Sequence, residues 1–274
     1  MTGRPTHNQS SATHALLATA ATLLLIAASP AAAGEVEWKR LQDQAAAHLQ
    51  GGSLEQAELL GRAALKEAEA PGSNPRMVEQ SLSTLSHALS RLGKHEEAIA
   101  LGQRLVAIRT KQYGADDPAT GLALHNNAQF LILQGDLAAA EKIELRALAI
   151  FQKKLGAEHF NTAVALHNMG AIYLKQEKFK DAEKYLRQAL TAKEKALKPG
   201  NLSIAHTLDN LAIALDGQGR QIEAERARKR AAGIRQRAQT PERTTLVVGE
   251  QLITPGDRRV HRLLTFREIA WSDR

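Results

Sequence analysis

Ten histidines and a row of asparagines are the side chains in this sequence best equipped for chemistry. His125 and His167 stand 42 residues apart, and Asn126, Asn168 and Asn210 repeat at the same step. An imidazole can ligate a metal or move a proton near neutral pH. A primary amide offers both a donor and an acceptor. Adjacent carboxylates occur in His95-Glu96-Glu97 and in Asp116-Asp117. None of these amounts to a reactive constellation. There is no H-E-x-x-H, no G-x-S-x-G elbow and no Gly-rich phosphate loop. The absence of cysteine excludes disulfides, thiolate zinc sites and a cysteine nucleophile. The residues therefore predict recognition by hydrogen bonding, with no catalytic centre and no cofactor.

What must position them is a helical hairpin. In Leu166–Leu190, Leu166, Met169 and Tyr173 recur at helical spacing, a polar turn follows, and Ala182, Leu186, Ala189 and Leu190 recur on a second helix. Gly170 and Ala182 are small enough to let two helix axes approach closely. The unit is copied along the chain. The second-helix alanine recurs as Ala57, Ala98, Ala140, Ala182 and Ala224, at steps of 41, 42, 42 and 42. Five residues before each stand Gly52, Gly93, Gly135, Glu177 and Gly219, at the inter-helix turn. The first helix carries Leu41, Leu82, Leu124, Leu166 and Leu208, each followed four residues on by a small residue. Five stacked hairpins account for most of the chain. Equivalent residues in neighbouring helices then lie about 10 Å apart. Zinc bonds are about 2 Å long, so His125 and His167 cannot share one ion and no metal site is expected. Asp116-Asp117 falls between repeats, where it suits the free N–H groups of the next helix.

The inter-repeat segments Tyr113-Gly-Ala-Asp-Asp-Pro118, Leu155-Gly-Ala-Glu-His159 and Leu197-Lys-Pro-Gly-Asn201 fit a pattern like LG-x-x-HP. First helices open Leu124-His-Asn126, Leu166-His-Asn168 and Leu208-Asp-Asn210. With a period longer than the usual 34 residues, the chain resembles the kinesin-light-chain type of tetratricopeptide repeat, a type widespread in bacteria. The resemblance covers roughly residues 38–238. It implies an all-α, right-handed superhelical solenoid of about five helix-turn-helix repeats, at about 38–77, 78–119, 120–161, 162–203 and 204–238. It also implies a non-catalytic scaffold that holds a peptide or partner protein in the concave groove lined by the first helices. Rival readings are an accessory subunit that positions an enzyme in an envelope or cell-wall assembly, and a self-associating repeat protein. The implied groove residues are His125, Asn126, Gln129, His167, Asn168, Leu174, Lys175, Asp209, Asn210 and Ile213. The aligned asparagines either grip a peptide backbone or bond helix backbone between repeats. The first repeat departs from the pattern at Gln44, and Glu177 replaces a turn glycine.

Outside the repeats, Arg4 precedes an apolar run, Ala15–Ala28, and then Ala31-x-Ala33. The run is too short to span a bilayer and fits a secretory signal peptide over residues 1–33, cut after Ala33, with an uncleaved anchor as the alternative. Either predicts export across the inner membrane, to a periplasm. The net charge of +7 gathers after Arg226, where a terminal helix without a neighbour should be polar. That end predicts a solvated cap, or weak contact with an anionic surface; nucleic acid is not an expected partner. Residues 241–274 are expected to be a short irregular, flexible basic tail, with a hairpin around Gly249-Glu250 as the alternative.

Overall fold

The computed structural model of the chain describes residues 30–239, 247–248 and 251–252. Among these, ten α-helices follow in order: α1 Pro30–Gly51, α2 Leu54–Ala68, α3 Pro75–Arg91, α4 His95–Tyr113, α5 Pro118–Gln134, α6 Leu137–Leu155, α7 Phe160–Lys175, α8 Phe179–Ala196, α9 Leu202–Asp216 and α10 Gln221–Gln239. Two strands of two residues, Val247–Val248 and Gln251–Leu252, pair antiparallel, with Val248 opposite Gln251. Most of the tail, and the expected signal segment through Ser29, lie outside the described residues. The expected cleavage point after Ala33 falls in the first turn of α1. Among the described residues, no helix is long and apolar enough to cross a membrane.

The helices form five hairpins in an all-α solenoid. Each helix packs on its neighbours in sequence, and the first helices also meet across repeats, α1 on α3, α5 on α7 and α7 on α9. The second helices do not approach one another in this way. Long charged side chains bridge them instead, as in Arg62–Glu97, Arg104–Glu69 and Arg230–Glu194. Helices that touch lie on the inside of the curve and helices that only bridge lie outside, so the first helices line the concave face. The bridges are exposed, and each contributes less than about 1 kcal/mol.

Small residues set the close packing. All five ladder alanines of the second helices are fully buried. A Cβ on Gly170 would come within 2.5 Å of Leu186 Cγ, so α7 and α8 meet only because no side chain stands there. The inter-helix turns need a left-handed residue, which glycine adopts without steric cost. Gly135 takes φ 96°, and Glu177 is held at φ 59° in the same role.

Each later first helix is started by its inter-repeat loop. Asn74, Asp117 and Asn201 accept hydrogen bonds from the amides of Arg76, Ala119 and Ser203 at 2.8–3.0 Å. His159 does the same through Nδ1 for Asn161 N, at 3.1 Å. Of the two adjacent aspartates, only Asp117 caps. Asp116 pairs with Lys153 at 2.9 Å, and the neighbouring ammonium holds its carboxyl below the usual range.

Candidate partner-binding groove

A single stripe of each first helix faces the concave side. Opposite the buried leucines, residues spaced by four, three and four lie on one helical face. These are Gln80, Thr84, His87 and Arg91 on α3; Leu122, Asn126, Gln129 and Leu133 on α5; Val164, Asn168, Ala171 and Lys175 on α7; and His206, Asn210 and Ile213 on α9. Leu133 is 59% exposed, Ile213 50% and Leu122 39%, while Asn126, Gln129, Asn168 and Asn210 are half-buried between them. The face therefore alternates aliphatic side chains with primary amides. Its cations are Arg91, which donates to the Leu49 carbonyl, and Lys175, two repeats away.

Not every residue expected in the groove is offered there. His125 is 5% exposed and turned into its own hairpin, where Nδ1 lies 2.7 Å from Glu144 Oε1. Glu144 is fully buried, and loss of water pushes its carboxyl up, against the pull of the His125 hydrogen bond. The His125 Nε2 lies 3.0 Å from Gln129 Nε2, so the buried pair anchors a groove amide from below. Its register explains the burial. Glu144 occupies the helix position held by Gly61, Gly102 and Leu186, all of them buried. Leu174 is partly buried, packed like Tyr173 and Leu190 against the core between repeats four and five, so only part of its side chain is offered to the groove. Asp209 is engaged by Arg235 of α10.

His167 belongs to a second buried network. Its Nδ1 lies 3.1 Å from Thr207 Oγ1 and its Nε2 lies 3.4 Å from Asn210 Nδ2. Thr207 in turn receives Lys193 Nζ at 2.9 Å, and Lys193 also donates to the Ser203 carbonyl at 3.3 Å. Burial first, then the charge of Lys193 and the neighbouring His206, pushes His167 down to about 3, so the ring is neutral. Lys193 is 2% exposed, and desolvation lowers it to about 8. It fills the helix position of Phe151 one repeat earlier, bringing a charge where its predecessor brings a ring.

The aligned asparagines thus differ from one another. Asn210 spends its Nδ2 on His167, Asn168 buries its Nδ2 without a partner, and Asn126 has neither tie among the described residues. Three arginines of the terminal helix are likewise engaged, Arg228 with Asp216, Arg230 with Glu194 and Arg235 with Asp209. Arg226, Lys229 and Arg237 stay on the exposed side of α10.

Two models described as tetratricopeptide repeat match the sequence, one over residues 77–153 and 120–195 and the other over 204–238. No curated protein sequence matches. Among solved structures, the chain is similar to BtubC (BKLC) from P. vanneervenii, 21% identical with a TM-score of 0.66 over 88% of this chain and 96% of that one. A putative kinesin light chain with nearly identical TPR-like repeats from Podosopora anserina is 21% identical, with a TM-score of 0.62 over 74% and 97%. PilF of Pseudomonas aeruginosa is 19% identical, with a TM-score of 0.53 over 73% and 78%. At these identities the likeness is one of fold.

Proposed function

The chain belongs to the tetratricopeptide repeat family, and from that premise we propose that it is a non-catalytic scaffold whose concave face holds a peptide or a partner protein. The observation that carries this reading is the alternation of exposed Leu122, Leu133 and Ile213 with half-buried amides on one face. Burying a side chain such as Leu or Ile contributes about 1.5–3 kcal/mol when it was fully exposed, and the half-exposed ones here proportionally less. The amides between them can satisfy a polypeptide backbone without dictating its side chains.

A photo-crosslinking residue placed at Leu133 or Ile213 is expected to capture the partner in cells, whereas the same residue at Leu145, on second helix α6, captures little. Equal capture from both faces would refute the groove. Export to the bacterial envelope is part of the proposal, supported by the apolar run Ala15–Ala28 and the small residues Ala31 and Ala33. N-terminal sequencing of the protein from its native host should then begin at Gly34. The exposed basic side of α10 supports weak contact with an anionic surface.

Self-association is a second reading, favoured by exposed aliphatic side chains near both ends of the solenoid. Val36 is 72% exposed on α1 and Ile222 is 74% exposed on α10. Light scattering that returns a monomer at high concentration would remove it.

A further inference from the structure

The network under the groove fixes which way a groove amide points. Thr207 Oγ1 lies within hydrogen-bond distance of three groups: Lys193 Nζ, His167 Nδ1 and the Ser203 carbonyl. The ammonium can only donate to the hydroxyl. One arrangement sends the hydroxyl proton to the Ser203 carbonyl at 3.0 Å, which lets His167 donate from Nδ1 to Thr207 and leaves its Nε2 with a lone pair. Asn210 must then meet Nε2 with its N–H. The reverse arrangement sends the hydroxyl proton to His167 and gives up the hydrogen bond to Ser203. The first arrangement makes one hydrogen bond more from the same atoms, and in a buried network a forgone bond is costly. The neutral ring is consistent with it. With one N–H of Nδ2 given to the imidazole, the amide plane turns Oδ1 away from the ring, and Asn210 keeps that oxygen as an acceptor for the groove. One repeat earlier, Asn168 also turns its Nδ2 inward.

We propose that the concave face around Asn210, in repeat five, is an acceptor site, and that the segment bound there is a peptide presenting a donor-bearing side chain (an amine, a guanidinium or a primary amide) to Asn210 Oδ1. Asp209 does not compete for that donor, since Arg235 already engages it. A carboxylate brought to Oδ1 would meet a lone pair instead of an N–H, so an acidic side chain is disfavoured at that atom. Ile213, half exposed one turn away, supplies an apolar seat beside the acceptor.

This inference rests on the groove reading, and two measurements separate their failures. Nitrogen NMR of the unliganded protein is expected to show His167 protonated on Nδ1 alone at neutral pH. Protonation on Nε2 would require Asn210 to face it with Oδ1, and would overturn the inference while leaving the groove intact. Selection from a displayed library of random eight-residue peptides is expected to enrich Lys, Arg, Asn and Gln over Asp and Glu by about fivefold, the factor for roughly one net hydrogen bond. That preference should vanish on Asn210→Leu. Enrichment of acidic peptides, or an unchanged preference on a folded Asn210→Leu protein, would overturn the inference; no enrichment of any peptide would sink the groove reading itself.

Discussion

Lys193 provides the sharpest test of the buried network. Lys193 is 2% exposed, its ammonium has only a hydroxyl and a carbonyl as partners among the described residues, with no carboxylate, and desolvation lowers it from 10.5 to about 8. The unfolded chain binds the proton up to the higher value, whereas the folded chain releases it from about pH 8. Between these values the unfolded state holds more protons, so stability rises with pH. The penalty is fully present at pH 7 and is relieved as pH climbs through 8 toward 10.5. Integrating the two titrations from pH 7 to pH 9.5 gives a gain of about 2 kcal/mol from this residue. Lys193→Met keeps the volume and removes the charge, so the gain should disappear. At pH 7 the variant should be as stable as the parent or more so, because Thr207 keeps His167 as a donor and no buried charge remains. Urea denaturation of both proteins, followed by circular dichroism at half-unit pH steps, measures the difference directly. Parallel stability curves for the two proteins from pH 7 to pH 9.5 would refute the reasoning.

Four further outcomes are expected. His167, held down to about 3, is protonated in the unfolded chain before the folded one. Stability is therefore complete above pH 6.5 and falls as pH drops toward 3, by about 2 kcal/mol between pH 7 and pH 5, and His167→Gln should flatten that part of the denaturation profile. Glu177→Gly relieves a left-handed turn residue at φ 59° and should raise stability by about 1 kcal/mol in thermal unfolding. Asp117→Ala removes the cap of α5 and should cost about 1 kcal/mol. Asp116→Ala, which loses only an exposed pair with Lys153, should change the same measurement by less than about 0.5 kcal/mol.

Much of this molecule is legible in its residues because a repeat states each packing rule five times. The alanine ladder, the turn glycines and the capping loops have local causes: a small side chain where axes approach, a free left-handed conformation, an oxygen near free amides. Each can be read without knowing what lies across the interface. Even the exception, Glu177, is placed by its register and adopts the conformation that the register demands.

The groove was legible only in part. Helical spacing puts Asn126, Gln129, Asn210 and Ile213 on one face, and that follows from 3.6 residues per turn. The same register assigns His125 and Leu174 to the groove, one position off the stripe in each case; tertiary packing turns His125 inward and half-buries Leu174. The burial of Glu144 and Lys193 is hard to read from sequence because a lone charge within a helix reads as solvated surface. Their register neighbours, Gly102 and Leu186 for one and Phe151 for the other, were the available signal of burial.

The number of hairpins, their order, their turns and the face each first helix offers are written in the residues, because these depend on interactions within about one repeat. Which polar groups are spent is set by packing between repeats. That depends on distances between residues some 40 positions apart, such as His167 with Thr207 and Asn210, and Asp209 with Arg235 of the last helix. A periodic pattern cannot specify such distances, because the same residue type at the same register meets a different partner in each repeat.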